Sequence, residues 1–185
     1  MKTIICSDIH DAINNLDRML AIGNTAGCDA LICCGDLCSP FIIDRIHTQF
    51  NHPCHIVFGN NDGDRFHIQQ HATKANTQRG DENAIMLHGE FLLKPSGKQL
   101  IGLPHDNSLA VFHFPETALH AFESNKFDAV FFGHTHKLSI AQSSDTRLIN
   151  PGSVMGFIPG AEPRFAPPTC VIFNWENNEA DVIEF

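Results

Sequence analysis

The chain has few cations: only 12 of its 185 residues are lysine or arginine, against 21 aspartates and glutamates, for a formal charge of −9. Binding a polyanion by counterion release needs a face of lysine and arginine, so the charge argues against an extended nucleic-acid surface or an anionic membrane as a large electrostatic partner. One local cation can still outweigh the global field, which leaves room for a small phosphate-bearing ligand. Tyrosine is absent and tryptophan occurs once, against 15 phenylalanines, so the core is rich in Phe. No apolar run approaches the roughly 18 residues a membrane span requires. The opening "MKTIICSDIH" has an apolar stretch too short for a signal peptide. Nothing resembles a P-loop or a G-x-G-x-x-G, which argues against nucleotide cradling of either type. The 7 cysteines are odd in number in a chain that is not short, so they read as buried free thiols in a reducing, cytoplasmic compartment rather than a disulfide framework.

What is present is a series of short apolar runs alternating with helical patterns. "TIIC" (Thr3 to Cys6) and "ALICC" (Ala30 to Cys34) read as buried strands, and between them Leu16, Met19, Leu20 and Gly23 keep the spacing of one helix face. In "SPFIIDRIHTQF", Ser39 is the expected N-cap and Pro40 the first helical residue. "HIVF" (His55 to Phe58) is the next strand, and the pattern is that of parallel βαβ units. From Ile85 the character changes. "AIMLHGEFLLKPSGKQLIGLP" holds two or three strand-like runs with "PSG" as a hairpin turn, which predicts antiparallel pairing. A helix around Glu116 to Ser124, then "AVFF", "LSIAQ", "TRLIN", "TCVIFNW" and "ADVIEF" complete the chain, with Pro151 to Pro168 read as a long irregular loop. No composition shift marks a boundary, so residues 1–185 are expected to form one domain of mixed sheets with helices packed outside, large enough to bury roughly 70% of its unfolded surface.

The strand ends carry the chemistry. "TIIC" runs into Asp8 and His10, "ALICC" into Gly35-Asp36, "HIVF" into Gly59-Asn60-Asn61-Asp62, "QLIGLP" into His105-Asp106, and "AVFF" into Gly133-His134-Thr135-His136. Each ending offers Asp, Asn or His, the donors of borderline divalent metals. Residues that follow successive parallel strands converge at the carboxyl edge of an open sheet although dispersed in sequence. No single D-x-H or G-D is informative; their joint placement is.

In this order "SDIH", "GDLC", "GNND", "GHTH" and "NPGS" resemble the calcineurin-like metallophosphoesterases, in particular the small bacterial and archaeal phosphodiesterases. The resemblance implies a four-layer α/β/β/α sandwich with two mixed sheets. It also implies a two-metal centre, with Asp8, His10, Asp36 and His136 on one ion and Asp36, Asn60, His105 and His134 on the other. Asp36, Asn60 and His105 are the residues expected to serve catalysis most directly. Asp36 is the natural bridge, since its carboxylate can offer one oxygen to each ion, and Asn60 adds coordination without charge. The implied reaction is hydrolysis of a small phosphate ester by a metal-bridging hydroxide, with manganese foremost and iron, nickel, zinc or magnesium as alternatives. The competing reading is a phosphoesterase fold kept as a non-catalytic interaction scaffold, and a homo-oligomer is left open.

Three departures from the family pattern stand out. Asp11 replaces a common glycine and could repel anions at the substrate mouth. Asn61 stands where monoesterases often carry a histidine and cannot protonate an alkoxide, which favours diesters or activated leaving groups. "PHD" replaces the usual "HG", so His105 is assigned from the strand-like run before it, with His88 in "MLHGE" as the competitor. Cys33, Cys34 and Cys38 around Asp36 read as thiols without metal. His113, like His47, His52, His67, His71 and His120, is given no role. Arg65 and Lys137 are candidates for substrate phosphate, and Asn150 either orients a ligand or begins a turn.

Overall fold

The computed structural model describes residues 1–160 and 162–185. In chain order the first half runs β1 (Lys2–Cys6), α1 (Ile13–Thr25), β2 (Ala30–Cys33), α2 (Phe41–Gln49), β3 (Cys54–Ile56), α3 (Arg65–Arg79) and β4 (Ile85–Leu87). Next come β5 (Phe91–Lys94), β6 (Leu109–Phe112), α4 (Pro115–Glu123), β7 (Ala129–Phe131), β8 (Ser139–Ser143) and β9 (Thr146–Asn150). A short ribbon, β10 (Phe157–Ile158) and β11 (Arg164–Phe165), precedes β12 (Thr169–Asn174) and β13 (Glu179–Glu184).

Two mixed sheets result. The first has the order β13-β12-β1-β2-β3-β4, with β1 to β4 parallel and β12 antiparallel to β1. The second has the order β5-β6-β7-β9-β8, with β6, β7 and β9 parallel between antiparallel edges.

The side-chain period of a strand explains why these runs are continuously apolar. In β1, Ile4 and Cys6 face a core shared with α1, α2 and α3, while Ile5 faces the layer between the sheets. In β2, Leu31 and Cys33 take the first direction, Ala30 and Ile32 the second. In the other sheet, Leu109, Val111, Ala129 and Phe131 enter the shared layer, while Ala110 and Val130 pack outward with Ala118 of α4. Both faces of each central strand are covered, as parallel strands require. Each fully buried Ile, Leu or Phe contributes roughly 1.5–3 kcal/mol of transfer free energy. The layering is α/β/β/α, as expected.

Several local expectations are corrected. Leu16, Met19, Leu20 and Gly23 are the buried face of α1 as read, but Ser39 does not cap α2: its hydroxyl donates to Asp11 Oδ2 at 2.7 Å. "QLIGLP" is not a strand. Residues 99–104 form a loop with Gly102 at φ +71°, and Leu100 and Leu103 reach the inter-sheet layer from it. The "PSG" turn closes locally, Lys98 N donating to Pro95 O at 3.2 Å, but it is not a tight hairpin: it opens the longer connection across which β5 pairs antiparallel with β6, as the expected pairing required. The segment between Asp62 and Asn83, to which the sequence pattern assigned no element, holds α3. Residues 151–160 and 162–168 are irregular except for the β10–β11 ribbon.

Candidate metal centre

Two sheets contribute opposite chemistries to one edge. The carboxyl ends of β1, β2 and β3 deliver Asp8, His10, Asp36 and Asn60; the ends of β6 and β7 in the other sheet deliver His113, His134 and His136. The turns needed to aim these side chains are tight. Among the described residues ten non-glycines have positive φ, and five of them are Asp8 (54°), His10 (43°), Asp36 (59°), His134 (66°) and His136 (57°). Each such residue costs on the order of 1–3 kcal/mol, and strain of this kind collects where function requires it. Gly133 permits the closest approach, since a Cβ there would lie 1.9 Å from Ser7 Oγ.

The groups form two clusters that share a carboxylate. In the first, His136 Nε2 lies 3.3 Å and His10 Nε2 3.8 Å from Asp8 Oδ1, and His10 Nε2 lies 3.4 Å from Asp36 Oδ2. In the second, His113 Nε2 lies 3.5 Å from that same Asp36 oxygen and 2.9 Å from Asn60 Oδ1, and His134 Nδ1 approaches Asn60 Oδ1 to 2.9 Å. Both aspartates are essentially buried.

Hydrogen bonding on the far side of each ring fixes what faces inward. His136 Nδ1 sits 2.5 Å from the Phe157 carbonyl and His113 Nδ1 2.8 Å from the Cys34 carbonyl. A carbonyl can only accept, so each Nδ1 carries a proton, and in the neutral ring Nε2 turns a lone pair toward the carboxylates. His10 Nδ1 meets Cys38 Sγ at 3.4 Å. Asp8 Oδ2 accepts from the His134 backbone amide at 3.0 Å, whereas Asp8 Oδ1 is buried with no hydrogen-bond partner. His10 Nε2 and His136 Nε2 are 3.1 Å apart. Lone pairs converging on an orphaned carboxylate oxygen repel one another unless a positive charge sits among them, so the donor set fits divalent cations.

Protonation behaviour agrees. Burial opposes ionisation of Asp8, but the nearby His10 and His136 rings, when protonated, outweigh it and hold the carboxyl below its usual range. Burial likewise opposes ionisation of Asp36, yet His113 and the Asn61 side chain hold it far below the usual range. Burial pulls His113 and His136 down, while Asp36 and Asp8 respectively pull them above the ordinary histidine value.

His105, expected as the middle ligand, is not in the cluster. Its side chain is 60% exposed and its Nδ1 pairs with the neighbouring Asp106 at 2.8 Å. The histidine that the structure brings to the cluster instead is His113, 1% exposed, at the end of β6, "LAVF". The signal was in the sequence: "LAVFH" has the same form as "AVFFGH". The competitor His88 is also elsewhere, its Nε2 2.9 Å from His55 Nδ1. Asp62, quoted within "GNND" but given no role, stitches two ligand loops: its Oδ2 accepts from Asp36 N (3.0 Å) and Gly59 N (2.7 Å), its Oδ1 from Cys38 N (2.9 Å). Asn61 donates to both oxygens of Asp36, at 2.8 Å each. Asn150 is buried and orders the His134 loop, donating to Gly133 O (2.9 Å) and Thr135 Oγ1 (3.0 Å).

Asp11 is held by Ser39, and Arg65 by the Asp62 and Gly59 carbonyls. Lys137 is exposed. Cys33 and Cys34 face opposite cores and build no joint thiolate site. Among the described residues no helix is long and apolar enough to cross a membrane.

Two clusters of carboxylates and imidazoles, drawn from both sheets and meeting over a shared aspartate, are the arrangement of a metal-dependent phosphoesterase. The family model of the calcineurin-like phosphoesterase superfamily domain matches residues 1–178, and the chain belongs to that family, hydrolases of phosphoric esters. Among its relatives is phosphodiesterase MJ0936 of Methanocaldococcus jannaschii, 28% identical over 179 residues that cover 97% of this chain and 96% of that protein. A solved structure described as a novel archaeal phosphodiesterase superposes with a TM-score of 0.81 at 27% identity, covering all of both chains. The phosphoesterase YfcE of E. coli shares the fold, with a TM-score of 0.58 at 17% identity over 100% of this chain and 99% of that one.

Proposed function

We infer that the chain hydrolyses a small phosphodiester at a centre of two divalent cations, manganese foremost, with iron, nickel, zinc or magnesium as alternatives. Asp8, His10, Asp36 and His136 would hold one ion, and Asp36, Asn60, His113 and His134 the other. The observation that carries this reading is the position of Asp36 Oδ2, 3.4 Å from an imidazole of one cluster and 3.5 Å from an imidazole of the other. When bound, such ions supply positive charge to phosphoryl oxygens and bring the pKa of a water molecule toward neutrality.

The chain's own groups set the charge and the proton traffic. Asp8 and Asp36 offset only part of the charge of two divalent ions and leave a net positive site for a phosphoryl group. Asn61, beside Asp36, can donate a hydrogen bond to a phosphoryl oxygen but has no proton to give an alkoxide. Esters that leave without protonation are therefore favoured, and simple alkyl monoesters are disfavoured. The similar archaeal proteins are described as phosphodiesterases, which supports a diester substrate. A non-catalytic scaffold would have no use for the unpartnered Asp8 Oδ1 or for the strained backbone at five ligands.

The test is hydrolysis of bis(4-nitrophenyl) phosphate and 4-nitrophenyl phosphate by chelated protein resupplied with manganese, nickel, zinc or magnesium. Metal-stimulated turnover of the diester is expected, lost by more than about 100-fold in Asp36→Asn. Metal-independent turnover, or full activity in Asp36→Asn, would overturn the reading.

A further inference from the structure

The cavity over the metal centre, about 370 Å³, has two unlike walls. One is the polar cluster with Asn61; the other is apolar, made of Met155, Phe157 and Pro159. Among the described residues lining it none is lysine or arginine. A second phosphate or a carboxylate on the substrate would find no counter-charge away from the cluster.

The apolar wall is tied to the chemistry by its backbone. Val154 N donates to Ser7 O and Met155 N to Asp8 O, both at 3.1 Å, and the Phe157 carbonyl is the acceptor that orients His136. Beside Phe157 stands Phe165, rings 5.6 Å apart and nearly perpendicular, with Phe165 itself 89% exposed. An aromatic side chain as exposed as Phe165 gains almost nothing from folding. Against the His134 ring, 5.0 Å away, lies Phe114, 43% exposed. Exposed aromatic rings packed against residues that line a polar cavity mark a surface kept for a ligand.

We propose that this wall, centred on Phe157, binds a planar ring on one ester group, so that the substrate class is phosphodiesters bearing an aromatic or heteroaromatic substituent. The proposal deepens the phosphodiesterase reading and rests on it. The phosphoryl group meets the cluster, and the ring packs offset or edge-on against Phe157, the geometry aromatic pairs prefer. The wall discriminates by what the ester carries, while the cluster handles what every phosphodiester shares.

Calorimetric titration of methylphosphonate and phenylphosphonate into manganese-loaded protein separates the two, because the ligands differ only in the ring. Phenylphosphonate is expected to bind about tenfold more tightly. That preference should fall below about threefold in Phe157→Ala, which keeps the carbonyl that orients His136. Phe157→Leu retains apolar volume and should show the same loss, so the comparison survives if the alanine variant folds poorly. In parallel, KM for bis(4-nitrophenyl) phosphate should rise in both variants with kcat changed less than about twofold. Equal affinity for the two phosphonates in the wild type, or a preference untouched by both substitutions, overturns the proposal while metal-stimulated diester turnover keeps the phosphodiesterase reading. Absence of that turnover overturns both.

Discussion

At the scale of single residues, a ligand is distinguished from a bystander by what happens at its second ring nitrogen. His113 is buried with Nδ1 committed to the Cys34 carbonyl, which leaves Nε2 to the cluster, while His105 pairs with Asp106 in solvent. His113→Ala is therefore expected to lower metal-stimulated hydrolysis by more than about 100-fold and to reduce the bound metal measured by elemental analysis, whereas His105→Ala should retain activity within about twofold. Equal losses in the two variants would show that the burial and the anchored nitrogen do not identify the ligand. The histidine that matters could have been chosen from the sequence by asking which one directly follows a continuous apolar run. His113 does so after "LAVF"; His105 follows proline.

At the scale of elements, legibility tracks how each segment is buried. Strands covered on both faces read plainly, since every position must be apolar, and the structure gathers their polar endings, Asp8, His10, Asp36, Asn60, His134 and His136, at one edge. "QLIGLP" deceived because its leucines enter the same inter-sheet layer from a loop, so burial without alternation looked like a strand. Helix α3 was invisible for the opposite reason: its covered side is Ile68, Ala72, Ala75 and Arg79, too small and too mixed to register as an apolar stripe. The junction of β7 with its histidine loop depends on Gly133 lying against Ser7 Oγ and Asp8 Oδ2. Gly133→Ala should force this loop from β1 and destabilise the protein by roughly 2–4 kcal/mol, read by urea denaturation, with weakened metal binding. Ser7→Gly in the same chain should recover part of the loss. Unchanged stability in the single variant would mean the loops separate freely.

At the scale of the whole molecule, acid should act first through the layer between the sheets. His55 is buried there, with Nε2 2.8 Å from the Ile101 carbonyl and Nδ1 against His88, and burial pushes its pKa down to about 4. A base whose folded pKa lies below its unfolded value of about 6.5 stabilises the fold fully above 6.5, and that contribution is lost as pH falls toward 4. The loss amounts to about 3 kcal/mol. In metal-free protein His113 and His136, whose pKa values are raised, act in the reverse sense: their contribution is present below 6.5 and lost as pH rises through their folded values. NMR titration should find the His55 ring neutral between pH 7 and 5, and chemical denaturation of metal-loaded protein should show stability declining across that interval. A His55 resonance titrating near 6.5 would remove this source of acid sensitivity.

Because the oxygen donors hang from one sheet and three of the four imidazoles from the other, any cation held between them is also a clasp across the slab. Sliding one sheet past the other would spread the donors, so substitutions deep in the slab, at Ile32 or Phe131, should retune metal affinity without touching a ligand. Loading with manganese should in turn slow amide exchange along β2 and β7 together, as though a hinge had been pinned shut.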